Sequence, residues 1–142
     1  MSGGEKAEVR RGGCLCGALR YKLRGPPRQV VACHCGQCRR MSGHYAAATA
    51  AARADLEIED ESMLVWYESS PGIRRGFCAI CGSSLFWDDA SRDNVAIFAG
   101  SLDQPSGLGL IEHIFVEDKG DYYEIADNLP RFPAYRPKAS HS

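Results

Sequence analysis

No stretch of this sequence approaches the ~20 consecutive apolar residues of a membrane helix. No surplus of charge marks it either: 17 Lys and Arg stand against 18 Asp and Glu, for a formal net charge of -1. The first absence argues against a membrane-spanning chain, and the second provides no general attraction to nucleic acid. The segment Met1–Gly13 is polar and mixed in charge, without the apolar stretch of a secretory signal. The expectation is therefore a cytoplasmic protein with neither a membrane nor a nucleic-acid partner. Also missing is an even number of cysteines. Seven are present, which excludes a scaffold built wholly on disulfides. In a reducing compartment, clustered cysteines bind metal or do redox work more often than they form bridges.

What is there is one domain's worth of chain, 142 residues, long enough to bury a core without staples. Residues 1–12 and 137–142 read as flexible tails around a single domain, 13–136. Gly (15) and Pro (7) break the chain at short intervals, and short apolar runs lie between the breaks. In Ala18–Leu23, Leu19, Tyr21 and Leu23 alternate with more polar neighbours, the period of a half-buried strand. Gln29–Ala32, Met63–Tyr67, Ser84–Trp87, Val95–Ala99, Ile111–Val116 and Tyr122–Ile125 read as further strands. Many short strands separated by turns indicate a mostly β, antiparallel fold. Ala46–Ala54 has helix-favouring composition but no apolar stripe, so it reads as strand or irregular.

Every cysteine belongs to a group. Cys14-Leu15-Cys16 is C-x-C, Cys33-His34-Cys35-Gly36-Gln37-Cys38 is C-x-C-x-x-C, and Cys78-Ala79-Ile80-Cys81 is C-x-x-C. Such spacings bring sulfurs to one ion through a tight turn, and Gly36 and Gly82 stand where left-handed backbone would help. Scattered inert cysteines would not cluster. A thioredoxin-like pair wants a following helix, whereas Ser83-Ser84-Leu85-Phe86-Trp87 after Cys81 looks like a strand. Iron–sulfur ligation fits the donor type, but zinc fits the pattern best. Seven divides naturally into a closed four-ligand site, Cys14, Cys16, Cys78 and Cys81, and an open three-ligand site, Cys33, Cys35 and Cys38. The alternative pairs Cys35 and Cys38 with Cys78 and Cys81, and strands the other three.

Three thiolates on a dication leave a charge of about -1, a poor activator of water and a good partner for a further soft ligand. The natural fourth ligand is a substrate thiol, which points to addition of a thiolate to an electrophilic carbon or to the reverse C–S cleavage. Arg39 and Arg40 follow Cys38 directly and are candidates for binding substrate carboxylates, of which glutathione carries two.

Gly13-Cys14-Leu15-Cys16-Gly17, Cys33 to Arg40, and Phe77-Cys78-Ala79-Ile80-Cys81-Gly82-Ser83-Ser84-Leu85-Phe86 together resemble the glutathione-dependent formaldehyde-activating family, which also includes centromere protein V. A looser likeness continues through Glu112–Val116 and Asp127–Pro130. The resemblance implies a β-tent of stacked antiparallel sheets. It also implies a structural zinc on Cys14, Cys16, Cys78 and Cys81, and a catalytic zinc on Cys33, Cys35 and Cys38. The implied activity is of carbon–sulfur lyase type, joining formaldehyde to glutathione as S-hydroxymethylglutathione. A zinc-stabilised, non-enzymatic interaction module on the same fold is the competing expectation.

Other residues have plainer readings. His34 is expected to point away from the metal, and His113 to be a packed or hydrogen-bonded core histidine. Asp88 and Asp89 read as a solvated strand end. Trp66, Trp87 and Phe98 read as core.

Overall fold

The structure is a computed structural model and describes residues 8–137. Among these residues the regular elements are ten strands and one α-helix, together with short 3-10 turns. They are β1 (Val9–Gly13), β2 (Arg20–Arg24), β3 (Val30–Cys33), α1 (Gly36–Ser42), β4 (Ala46–Ala52) and β5 (Leu56–Ile58). The second half adds β6 (Leu64–Ser70), β7 (Ile73–Cys78), β8 (Ser84–Asp89), β9 (Asn94–Phe98) and β10 (Leu110–Ile114). The mostly β expectation holds. None of the helices among the described residues is long and apolar enough to cross a membrane.

Two sheets form. The smaller has the order β1-β2-β5, and the larger the order β10-β3-β4-β9-β8-β7-β6. Neighbours pair antiparallel except β10 and β3, which run parallel with Ile114 opposite Cys33. β1 places residues 9–12 in a strand, which corrects the reading of 1–12 as tail. Residues 1–7 and 138–142, the rest of the expected tails, lie outside the described residues. Tyr122–Ile125 is irregular rather than a strand, and the alanine-rich segment is a strand to Ala52 followed by a 3-10 turn at Arg53–Asp55.

The core lies where the small sheet covers one face of the large one. Leu19, Tyr21 and Leu23 from the first region meet Phe86, Val95 and Ile97 from β8 and β9, all nearly free of solvent. Tyr21 and Phe86 pack edge to face, with ring centroids 5.5 Å apart. The Tyr21 hydroxyl is tied to Ser101 Oγ at 2.6 Å. Gly12 passes so close above that hydroxyl that a Cβ there would sit 2.4 Å from its oxygen.

Strand alternation leaves the other face of the large sheet free for a different purpose. Asp88 does not project as a solvated end. It is buried on the core side, and its carboxylate takes Arg53 Nη1 at 2.8 Å and Arg74 Nε at 3.0 Å.

Candidate metal centres and cavity

The four cysteines Cys14, Cys16, Cys78 and Cys81 come together from the β1–β2 turn and the end of β7, with all four Sγ atoms within 4.8 Å of one another. Cys14 Sγ lies 3.6 Å from Cys16 Sγ, which lies 3.7 Å from Cys78 Sγ. Thiolates ~2.3 Å from a common tetrahedral ion stand ~3.8 Å apart, so the donor set fits a metal. Local backbone makes the fit. Gly82 adopts φ +80 just after Cys81, and its N–H returns to the Cys78 carbonyl. The N–H groups of Ile80 and Cys81 point at Cys78 Sγ, at 3.4 and 3.5 Å. Ser83 joins the two halves, with its Oγ accepting from Leu15 N and lying 3.2 Å from Cys81 Sγ. Contact with Ser83 pulls the Cys81 thiol down to about 5.

Cys33, Cys35 and Cys38 form the second cluster, again with Sγ atoms within 4.8 Å of one another. Cys33 ends β3, Cys35 precedes α1, and Cys38 lies in the first turn of that helix. Cys35 caps this seven-residue helix by accepting from Cys38 N at 3.3 Å. Gly36 is the first residue of α1 and is not left-handed, contrary to expectation; Gly43, after the helix, takes φ +86 instead. The crowded sulfurs drive the titrations apart. Contacts with Cys33 and Cys38 pull Cys35 down to about 2, and contacts with Cys35 and Cys38 push Cys33 far up. Three adjacent thiols cannot all ionise without a cation to offset them, so this donor set also fits a metal. The structure thus assembles the four-plus-three division. The ribbon pairing of Cys35 and Cys38 with Cys78 and Cys81 does not form.

The clusters differ in their surroundings. A cavity of about 350 Å³ opens beside Cys33, Cys35 and Cys38, and no member of the four-cysteine group lines it. Its floor is the free face of the large sheet. Ala46 pairs with Cys33 across β3 and β4, and Ala48 pairs with Phe98 across β4 and β9. Ala96 then pairs with Trp87, and Trp87 with Arg75, across β9, β8 and β7. Phe115 and Tyr135 also line the cavity, their rings edge to face at 4.8 Å. Trp87 and Phe98 are therefore cavity residues rather than core, whereas Trp66 does pack on the core cluster.

Three arginines line the cavity: Arg28, Arg75 and Arg92. Arg75 is only 3% exposed. Its Nη1 and Nη2 each lie 3.9 Å from Cys38 Sγ, while Nε donates to Ser69 Oγ and Nη2 to Gln37 Oε1. Arg92 lies between the Trp87 and Tyr135 rings, its guanidinium carbon 5.7 and 5.5 Å from their centroids. Arg39 and Arg40, expected at the substrate, are on α1 and do not line the cavity. Arg28 and Arg92 lie 5 residues or more from any cysteine in sequence, which is why motif reading missed them. For Arg92, the one available sign was an arginine five residues after Trp87.

Behind the three-cysteine cluster runs a polar chain. Tyr123 Oη is 2.8 Å from His34 Nδ1, His34 Nε2 is 2.9 Å from His113 Nδ1, and His113 Nε2 is 2.9 Å from Asp127 Oδ2. With the carboxylate accepting at one end, each imidazole donates from Nε2 and accepts at Nδ1. Burial above all holds His34 down at about 4, so it is neutral; Tyr123 and His113 occupy both its ring nitrogens, and the cysteine cluster does not include it. Donation from His113 keeps the Asp127 carboxyl below its usual range. This chain fixes the ring between Cys33 and Cys35, and it bears out the hydrogen-bonded reading of His113.

A search of curated proteins finds no match to the chain. Three chains of solved structures match. One, the crystal structure of a Rhodobacter sphaeroides protein, has a TM-score of 0.55 and 22% identity, covering 70% of this chain and 98% of that one; at this identity the likeness speaks for the fold. The family model for the glutathione-dependent formaldehyde-activating enzyme matches residues 9–118, which span both cysteine clusters, and the chain belongs to that family.

Proposed function

We propose that the protein is a zinc enzyme of carbon–sulfur lyase type that joins glutathione, or a similar small thiol, to an aldehyde carbon and catalyses the reverse cleavage. In this reading Cys14, Cys16, Cys78 and Cys81 hold a structural zinc, and Cys33, Cys35 and Cys38 a catalytic one. The observation that carries it is the asymmetry between the clusters: three sulfurs border a cavity, and four do not. Closed four-ligand sites are structural, whereas catalytic sites keep one position open. All seven cysteines are unbridged, which suits a reducing compartment such as the cytoplasm.

Zinc in the three-cysteine site supplies a position for a thiol and lowers that thiol's pKa from about 8.5. The residues do the rest. Arg75, held against Cys38 Sγ, offsets the negative charge that gathers when a fourth sulfur arrives. Arg28 and Arg92 take the carboxylate-binding role expected of Arg39 and Arg40, since they border the cavity. The thiol sulfur bonds to the aldehyde carbon, the carbonyl π pair moves to oxygen, and oxygen takes a proton. Cobalt-loaded protein titrated with glutathione tests the reading, because a thiol entering the open position changes the cobalt spectrum. A spectrum indifferent to glutathione and to other small thiols would sink it.

A further inference from the structure

We infer that the cavity beside Cys33, Cys35 and Cys38 is shaped for an electrophile with an apolar body, an aryl or branched-alkyl aldehyde, rather than for formaldehyde. The inference rests on the thiol chemistry proposed above and specifies its second substrate.

The floor carries the argument. On the cavity face of the large sheet, β4 presents Ala46 and Ala48, and β9 presents Ala96 and Phe98. Strands favour β-branched and aromatic residues, which would fill this space. Alanine at three positions, Ala46, Ala48 and Ala96, leaves it open instead. Phe98 and Trp87 flank the depression, and Val31 and Ile114 continue it toward Cys33. The volume, about 350 Å³, lies within the ~300–1,000 Å³ of small-molecule sites.

Over the same space lies Phe115, the one non-glycine described residue with positive φ, at 58°. An aromatic residue in that region is strained, and such strain persists where the surroundings hold it. Here the N–H of Phe115 donates to Ala134 O, and its ring meets Tyr135 edge to face. Two aromatic rings are thereby held at a cavity whose floor is alanine.

Formaldehyde has no substituent to meet these walls, and glutathione is polar along its length. Its carboxylates match Arg92, whose Nη atoms have no acceptor among the described residues, and Arg28. The alanine and aromatic wall of the cavity is apolar, and the surface that matches it is the R group of an aldehyde R–CHO. The step needs no further reactant. The C–S bond forms, the C=O π bond opens, and the proton released by the thiol ends on the new hydroxyl. No atom is oxidised or reduced overall.

Stable thioethers test the shape without turnover. S-benzylglutathione and S-methylglutathione are compared by calorimetry on zinc-loaded protein and on the Ala48→Leu and Ala96→Leu variants, with folding checked by circular dichroism. The benzyl conjugate is expected to bind at least 10-fold tighter, and each leucine to shrink that preference by about 10-fold. Equal affinities, tighter methyl binding, a preference untouched by both leucines, or no binding of either conjugate would overturn the inference. Glutathione added to the cobalt-loaded protein keeps the two readings apart. A spectral response with no benzyl preference leaves the thiol reading standing and removes only the apolar electrophile; no response removes the thiol reading itself.

Discussion

Arg75 on β7 and Cys38 on α1 meet beside the cavity, with Arg75 Nη1 and Nη2 each 3.9 Å from Cys38 Sγ. Serine and glutamine acceptors aim the same guanidinium, so it is a fixed cation beside a cluster that becomes anionic when loaded. Outer partners of metal ligands typically contribute ~10–100-fold to metal affinity. Arg75→Ala is expected to weaken zinc at the three-cysteine site by about that factor and to leave the four-cysteine site unchanged, as read by chelator competition. Arg75→Lys, which keeps charge and loses the fork, is expected to fall between. Equal loosening of both sites would assign Arg75 to the fold alone.

The two clusters are expected to answer differently to loss of a ligand. The four-cysteine site ties the β1–β2 turn to the end of β7, regions more than 60 residues apart in sequence. Metal binding there is folding energy. Cys81→Ser is expected to cost about 3 kcal/mol or more, a fall in Tm of roughly 10 °C. Cys35→Ser keeps an oxygen to cap α1 in place of the sulfur that now accepts from Cys38 N. It is expected to abolish turnover while moving Tm by less than ~3 °C. Differential scanning calorimetry on metal-loaded variants, with zinc counted in each, separates the effects.

The cysteines were legible in sequence because chelation demands short, fixed spacings, and those spacings survive without knowledge of the fold. The strands were legible where polar and apolar residues alternate, as at Leu19, Tyr21 and Leu23. Arg75 was not, because it meets Cys38 from 37 residues away, where α1 lies against β7. Nor was Asp88, whose burial depends on Arg53 and Arg74 arriving from two other segments. Tyr122–Ile125 has the composition of a strand, but its tyrosines instead reach His44 and His34. The small helix α1 escaped because its seven residues have no apolar stripe; its start is set by Cys35 and its end by Gly43. Trp87 and Phe98 looked like core because size and hydrophobicity do not reveal which face of a sheet is covered.

Tyr21 makes the fold sensitive to alkali. Burial pushes its hydroxyl up to about 12, against the smaller, opposing effect of the hydrogen bond with Ser101. The folded value is above the unfolded one of ~10, so the unfolded chain loses this proton first as pH rises. The stabilisation is complete below pH ~10 and is lost as pH climbs from ~10 towards 12. Tyr21→Phe is expected to flatten the fall in stability across that window and to cost about 1 kcal/mol at neutral pH through the lost hydrogen bond. Urea denaturation at a series of pH values measures both; an unchanged slope above pH ~10 would rule out Tyr21 as the titrating group.

Cavity position separates the arginines that neighbour the motif in sequence from those that border the site in space. Arg92 lies between Trp87 and Tyr135 on the cavity wall, and its Nε is 3.3 Å from Asp89 Oδ2. Its side chain is 47% exposed, so water screens part of any carboxylate it binds. Arg92→Ala is therefore expected to raise KM for glutathione by a moderate ~3–10-fold with little change in kcat, since the contact is made equally before and during reaction. Arg39→Ala and Arg40→Ala, off the cavity, are expected to leave KM within about 2-fold. Steady-state kinetics on the three variants at matched zinc occupancy decides between them. A larger KM effect from Arg39 or Arg40 than from Arg92 would move the carboxylate site onto α1 and away from the sheet floor.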